Sequence, residues 1–220
     1  MEKSPIRRVM LVEDNEQLRE SQVALINETA GFICVADCGT AEEALQAQRT
    51  SKPDVVVMDI GLGDNKMTGI QVTEQIKRQN PSCLVVMQTI SGDNDVILKA
   101  IMAGADGYIL KGVPNFKLID AINKVLEGDF PMSPGLAARV MKMFREMKPR
   151  ETGSKRMLSG KELPEDLILT PTQDRILNLK IEGKTRREIA ATLHVKEDAL
   201  KWQIKEIYRK VRNHGTSDSA

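Results

Sequence analysis

The chain has 220 residues, 41% of them hydrophobic and 29% charged, which is enough apolar material for packed cores and excludes a chain disordered throughout. The net charge of +1 hides a division, because residues 1–130 carry 19 acidic and 13 basic side chains whereas residues 131–220 carry 12 acidic and 19 basic. Two domains are expected, the second basic enough to meet nucleic acid, and no apolar run approaches the ~18 residues of a membrane span.

In chain order, short apolar runs at 7–12, 32–38, 54–59, 83–89 and 107–111 read as five strands. Residues 15–29, 40–50, 69–79, 93–103 and 114–127 carry the spaced apolar positions of amphipathic helices, several opened by Asn, Thr or Asp caps. Strands alternating with helices make βαβ units, so the expected fold of 1–130 is a doubly wound α/β domain on a five-stranded parallel sheet. Cys34, Cys38 and Cys83 form no CxxC pair and read as buried reduced thiols. The start, MEKSPIRRVMLVEDN, meets carboxylates before a secretory apolar core could form, and the expected compartment is the cytoplasm.

Phe130-Pro131 breaks the pattern, and Ser133-Pro134 opens a short connector helix over 134–147. Residues 148–166 combine Pro, Gly, Ser and charge with little that is apolar, the composition of a mobile linker. The expected division is therefore a first domain at 1–130, connector and linker at 131–166, and a small all-α domain at 167–220 with helices at 171–182, 185–193 and 197–212.

Glu13 and Asp14 follow the first strand, while Asp59, Thr89 and Lys111 end the third, fourth and fifth. All five converge on the carboxyl edge of the sheet, where open parallel sheets bind ligands. Three carboxylates brought together repel one another and call for a hard cation such as Mg²⁺, and Lys111 and Thr89 beside them suit the oxygens of a phosphoryl group. With these residues the chain resembles a two-component response regulator of the NarL/LuxR family, with a flavodoxin-like receiver domain. The resemblance implies that Asp59 accepts a phosphoryl group from a histidine kinase and that Glu13, Asp14, Asp59 and the backbone carbonyl of Gly61 hold Mg²⁺. It also implies that Thr89 swings toward the phosphate, that Lys111 binds it, and that Tyr108 is an aromatic switch. Two departures stand out: the loop DIGLGDNKMTG after Asp59 is longer and lacks the family's proline, and Ile90 replaces a small residue, which would narrow access to the site.

The second domain resembles the LuxR-type helix-turn-helix across LTPTQDRILNLKIEGKTRREIAATLHVKEDALKWQIKEIYRKV, with Lys196, Ala199, Leu200 and Gln203 as departures. On a helical wheel Leu200, Ile204, Ile207 and Val211 make one apolar stripe, and Lys201, Trp202, Lys205 and Arg209 lie on the other side. A charged face is usually only a solvated one, but a helix-turn-helix pattern in a basic domain favours DNA contact by these four residues. The family usually continues into a fourth helix that pairs two output domains. That helix is mostly missing around NHGTSDSA, so any homodimer is expected to form through the receiver domain or connector helix. The expected function is phosphorylation-controlled DNA binding and transcription regulation rather than catalysis, with a histidine kinase and DNA as partners. The competing readings are a protein-interaction module with a degenerate helix-turn-helix, and a phosphohydrolase, which Gly61 in place of a second acid disfavours.

Overall fold

The structure, a computed structural model, describes residues 5–63, 67–90, 94–112, 114–129, 135, 137, 138, 140–142, 157, 158, 161, 162 and 169–215. The chain separates into two compact units, Met1–Pro131 and Met132–Ala220.

In the first unit, β1 (Arg7–Val12), β2 (Phe32–Cys38), β3 (Val55–Asp59), β4 (Leu84–Thr89) and β5 (Gly107–Leu110) form one sheet in the order β2-β1-β3-β4-β5, every pairing parallel. They alternate with α1 (Glu16–Glu28), α2 (Ala41–Ser51), α3 (Gly69–Gln79), α4 (Asn94–Met102) and α5 (Asn115–Leu126). The central strands are apolar without interruption because both their faces are covered. Met10, Val12, Val56, Met58, Val85 and Met87 pack with Ala41, Ala44, Val72 and Ile76 on one face, while Val9, Leu11, Val55, Val57 and Val86 pack with Ile26, Leu118 and Ile122 on the other. This alternation decides which face each polar residue at the strand ends occupies.

Side-chain caps set the helix starts: Asn15 Oδ1 accepts from Leu18 N at 2.9 Å, Thr40 caps α2, and Thr68 with Gln71 makes a capping box at α3. Residue 93, where the fourth helix is expected to open, lies outside the described residues, and α5 starts at Pro114 with no side-chain cap. All three cysteines are free. Burial pushes the thiols of Cys38 and Cys83 up to about 12 and about 11. Cys34 departs from expectation in being only half-buried, since it sits on the edge strand β2.

In the second unit the connector is helical at residues 135, 137, 138 and 140–142; the rest of 134–147 lies outside the described residues. Within the stretch expected to be a linker, β6 (Met157–Leu158) and β7 (Lys161–Glu162) pair antiparallel, a hairpin that its polar composition concealed. Then come α6 (Pro171–Ile181), α7 (Arg186–Leu193) and α8 (Glu197–Gly215). Thr170 with Gln173 and Thr185 with Glu188 form capping boxes at α6 and α7. The turn into α8 is made by His194 at φ 53°, after which Val195 N donates to Ala190 O at 3.0 Å. The core is Ile176, Leu177, Ile189, Ala190, Leu200, Ile204, Ile207 and Tyr208. Helix α8 runs three residues beyond the expected end at 212, to Gly215, so part of the expected polar tail is helical. Among the described residues no helix is long and apolar enough to cross a membrane.

Candidate functional site

Glu13 follows β1 two residues after Leu11, Asp59 ends β3 two after Val57, and Lys111 follows β5 two after Ile109. Strand alternation therefore puts all three on the face covered by α1 and α5. Lys111 Nζ donates to Glu13 Oε1 at 2.8 Å, lies 2.7 Å from Glu13 Oε2 and 2.8 Å from Asp59 Oδ2. Glu13 is fully buried and Asp59 nearly so, while Asp14 is exposed. One carboxylate oxygen from each of Glu13, Asp14 and Asp59 lies within 4.8 Å of the others. Gly61 N donates to Asp59 Oδ1 at 3.2 Å.

The charges here are balanced against burial. Desolvation, aided by the charge of Asp59, raises the Glu13 carboxyl above the ordinary value despite the opposing bond from Lys111. For Lys111 burial works against the charged form, but hydrogen bonds to Asp59 and Glu13 outweigh it, and its pKa is raised. The lysine is therefore held protonated between two carboxylates.

Thr89, the last residue of β4, and Tyr108, the second of β5, alternate to the face opposite Glu13, Asp59 and Lys111. Thr89 is buried and Tyr108 half-buried. Ile90, expected to narrow access, is 86% exposed, so its side chain is not packed into the site. Sequence reasoning missed Arg19, whose Nη1 donates to the Glu13 carbonyl at 2.8 Å and whose Nε lies 3.7 Å from Asp37, bracing the acidic loop against β2. It also missed two close approaches. A Cβ on Gly63 would stand 2.6 Å from Asp14 Oδ2, and one on Gly69 would stand 1.8 Å from the Asp59 carbonyl. Sequence spacing signals neither contact: one arises where the loop after β3 meets the loop after β1, the other where the start of α3 returns to the end of β3.

On α8, Trp202 is 59% exposed, Lys205 is exposed, and Lys201 and Arg209 are half-buried. Arg209 Nε donates to Glu206 Oε2 at 2.9 Å, so this cation is partly neutralised. Leu200, Ile204 and Ile207 are buried as the wheel required; the side chains of Val211 and Arg212 lie outside the described residues. Trp202 stands with Val195, Ala199 and Gln203 along an apolar groove that Ile176 of α6 floors. Lys210 is 8% exposed and donates to Gln173 Oε1 at 2.9 Å.

Comparison with known proteins agrees with this arrangement. Residues 9–123 match the family described as response regulator receiver domain. The chain is 26% identical over 210 residues to the transcriptional regulatory protein DegU of Brevibacillus brevis, covering 93% of this chain and 87% of that protein. It is 28% identical over 204 residues to the response regulator protein VraR of Staphylococcus aureus (strain NCTC 8325 / PS 47), covering 93% and 90%. A two-component response regulator of the LuxR family from Aurantimonas sp. SI85-9A1 superposes with TM-score 0.58 at 34% identity, over 64% of this chain and 98% of that one. The response regulator ChrA of a heme-sensing two-component system superposes with TM-score 0.50 at 28% identity, over 94% and 90%. The chain belongs to the two-component response regulators of the NarL/LuxR family, and its first unit carries their receiver domain.

Proposed function

We propose that Asp59 accepts a phosphoryl group from the phosphohistidine of a sensor kinase, and that the charge state of Asp59 governs DNA binding by the second unit. The observation that carries this reading is the Lys111 ammonium 2.8 Å from Asp59 Oδ2, at the sheet edge beside two further carboxylates. An Asp59 oxygen attacks phosphorus, the P–N bond breaks, and its electron pair stays on the kinase imidazole nitrogen, leaving an acyl phosphate. Lys111 is the fixed cation for the equatorial oxygens, and Thr89 a hydroxyl for the phosphoryl group, with Tyr108 responding on the same face of the sheet.

The donor set fits Mg²⁺. All its atoms are oxygens, one from each of three carboxylates lying within 4.8 Å of one another, and Glu13 is buried with Lys111 2.7 Å from its Oε2 as the compensating charge. Glu13, Asp14, Asp59 and the Gly61 carbonyl would hold the ion. Once bound it would neutralise charge developing on the transferred phosphoryl oxygens.

The first unit is the receiver, residues 131–166 join it to the output domain, and 167–220 form a LuxR-type helix-turn-helix in which Lys201, Trp202, Lys205 and Arg209 meet DNA. The similarity to DegU and VraR, transcriptional and response regulators by name, supports a regulatory rather than enzymatic role. A homodimer through the receiver or the connector helix and a cytoplasmic location complete the reading.

Incubation of the full chain with Mg²⁺ and acetyl phosphate, followed by selection from a random DNA library, tests it. Wild type should take up one phosphoryl group labile to acid and to alkali, Asp59→Asn none, and the modified protein should enrich DNA differently. Phosphate uptake by Asp59→Asn at the wild-type rate refutes Asp59 as acceptor.

A further inference from the structure

Strand β4 carries a buried polar residue that the function above does not use. Gln88 is 2% exposed, and its Oε1 has no hydrogen-bond partner among the described residues. It follows Val86 by two positions and so lies on the α1/α5 face, in the row of Glu13, Asp59 and Lys111. In the ladder it pairs directly with Asp59 on one side and Ile109 on the other. Adjacent strands are about 4.8 Å apart, so Gln88 and Asp59 stand side by side. The sheet order adds the decisive constraint. Lys111 follows β5, yet its ammonium reaches Asp59 on β3 and the end of β1, so its side chain crosses the end of β4, over the Gln88 position.

An unsatisfied buried carbonyl costs about 1–3 kcal/mol, and β4 fills its neighbouring positions with Val and Met at no such cost. The described acceptors of Lys111 are Glu13 and Asp59. An ammonium has three donors, and when Glu13 serves a cation instead, a buried donor of Lys111 loses its acceptor. Among the described residues a vacant acceptor on that face, carried by the strand that the lysine chain crosses, is Gln88 Oε1.

We propose that Gln88 is a positioning residue of the phosphoryl-transfer site, its amide oxygen receiving Lys111 when Glu13 releases it, so that cation binding does not strand the lysine. The inference rests on the assignment of Glu13 and Lys111 above. It makes Gln88 a residue that favours the cation-loaded arrangement and is costly in the cation-free one.

Gln88→Met keeps the length and volume and removes the acceptor. On the full chain it should leave the metal-free melting temperature unchanged or higher, because an orphaned polar atom has gone. Calorimetric titration with Mg²⁺ alone should show affinity about tenfold weaker, the size of one hydrogen bond to a charged group. Gln88→Glu, which retains an acceptor, should recover most of that affinity. Wild-type Mg²⁺ affinity in Gln88→Met overturns the proposal whatever the melting temperature, as does weakened affinity that Gln88→Glu leaves unrecovered. Labelling of wild type and Asp59→Asn with acetyl phosphate runs alongside. Its failure would count against Asp59 as acceptor, whereas the Mg²⁺ titration reads Gln88 independently of that outcome.

Discussion

Lys111 stands between two carboxylates that water hardly reaches, Glu13 at 0% and Asp59 at 3% exposure, and their mutual repulsion is contained as long as its ammonium bridges them. Removing one member of a buried ion group leaves the others uncompensated, at a cost of about 3–5 kcal/mol. Lys111→Met should fall near the lower end, about 3 kcal/mol, because Glu13 is already biased toward holding a proton. Mg²⁺ should then restore more stability to the variant than it gives wild type, since it replaces the missing positive charge; thermal melts of both proteins with and without Mg²⁺ check this. A smaller Mg²⁺-induced shift in the variant would mean that the lysine helps to hold the ion rather than substituting for it. Ile90 gives the opposite case. With its side chain 86% exposed, Ile90→Ala should change unfolding free energy by less than about 0.5 kcal/mol and leave the decay rate of the phosphorylated protein at the wild-type value. A decay rate altered severalfold would show that the residue acts on the site from its exposed position.

At the scale of elements, the loop after Asp59 and the start of α3 are fixed by one close contact. Gly69 N donates to Ile60 O at 3.1 Å, and the helix begins so near the end of β3 that a Cβ at position 69 would meet the Asp59 carbonyl at 1.8 Å. The obstacle is backbone, which cannot swing aside as a side chain does. Gly69→Ala should therefore destabilise the first unit by about 3 kcal/mol, at the upper end for forced overpacking, and slow phosphorylation by displacing Asp59. Gly61→Ala meets nothing within 4 Å and should cost less than about 1 kcal/mol, so denaturant titration of the pair separates contact from mere loop position. Much of this architecture was legible beforehand. Strands covered on both faces appear as apolar runs, and helix starts carry Asn15, Thr40 and Thr68, so the α/β order and the convergence of Glu13, Asp14, Asp59 and Lys111 on one edge follow from local pattern. What local pattern could not supply were contacts between distant segments. Gln88 reads as one polar letter in an apolar strand and Arg19 as an ordinary helix surface, and nothing local marks Lys210 as turned inward to Gln173 of another helix.

For the whole molecule, the division into an acidic and a basic part coincides with two compact units, so the charge for meeting DNA is concentrated in the unit that carries α8. The major groove, about 12 Å wide, admits one helix, and on α8 the four candidate residues differ in how free they are to act there. Lys205 is exposed and would contact phosphate, so Lys205→Ala should weaken binding to all sequences alike and reduce the slope of log affinity against log salt by about one. Arg209 must first leave Glu206, 2.9 Å away, and Arg209→Ala should flatten that slope by less. Trp202, 59% exposed and uncharged, contributes apolar contact, so Trp202→Ala should lower affinity by a factor that does not change with salt. Lys201, near the start of the helix where base edges are read, should differ again: Lys201→Ala should cost about 1–3 kcal/mol on the preferred sequence and little on others. Titrations of the four variants at several salt concentrations, against a selected sequence and a scrambled one, resolve these patterns. Four variants that fold and bind every DNA as wild type does would show that this face is only solvated and return the second unit to a protein-interaction role.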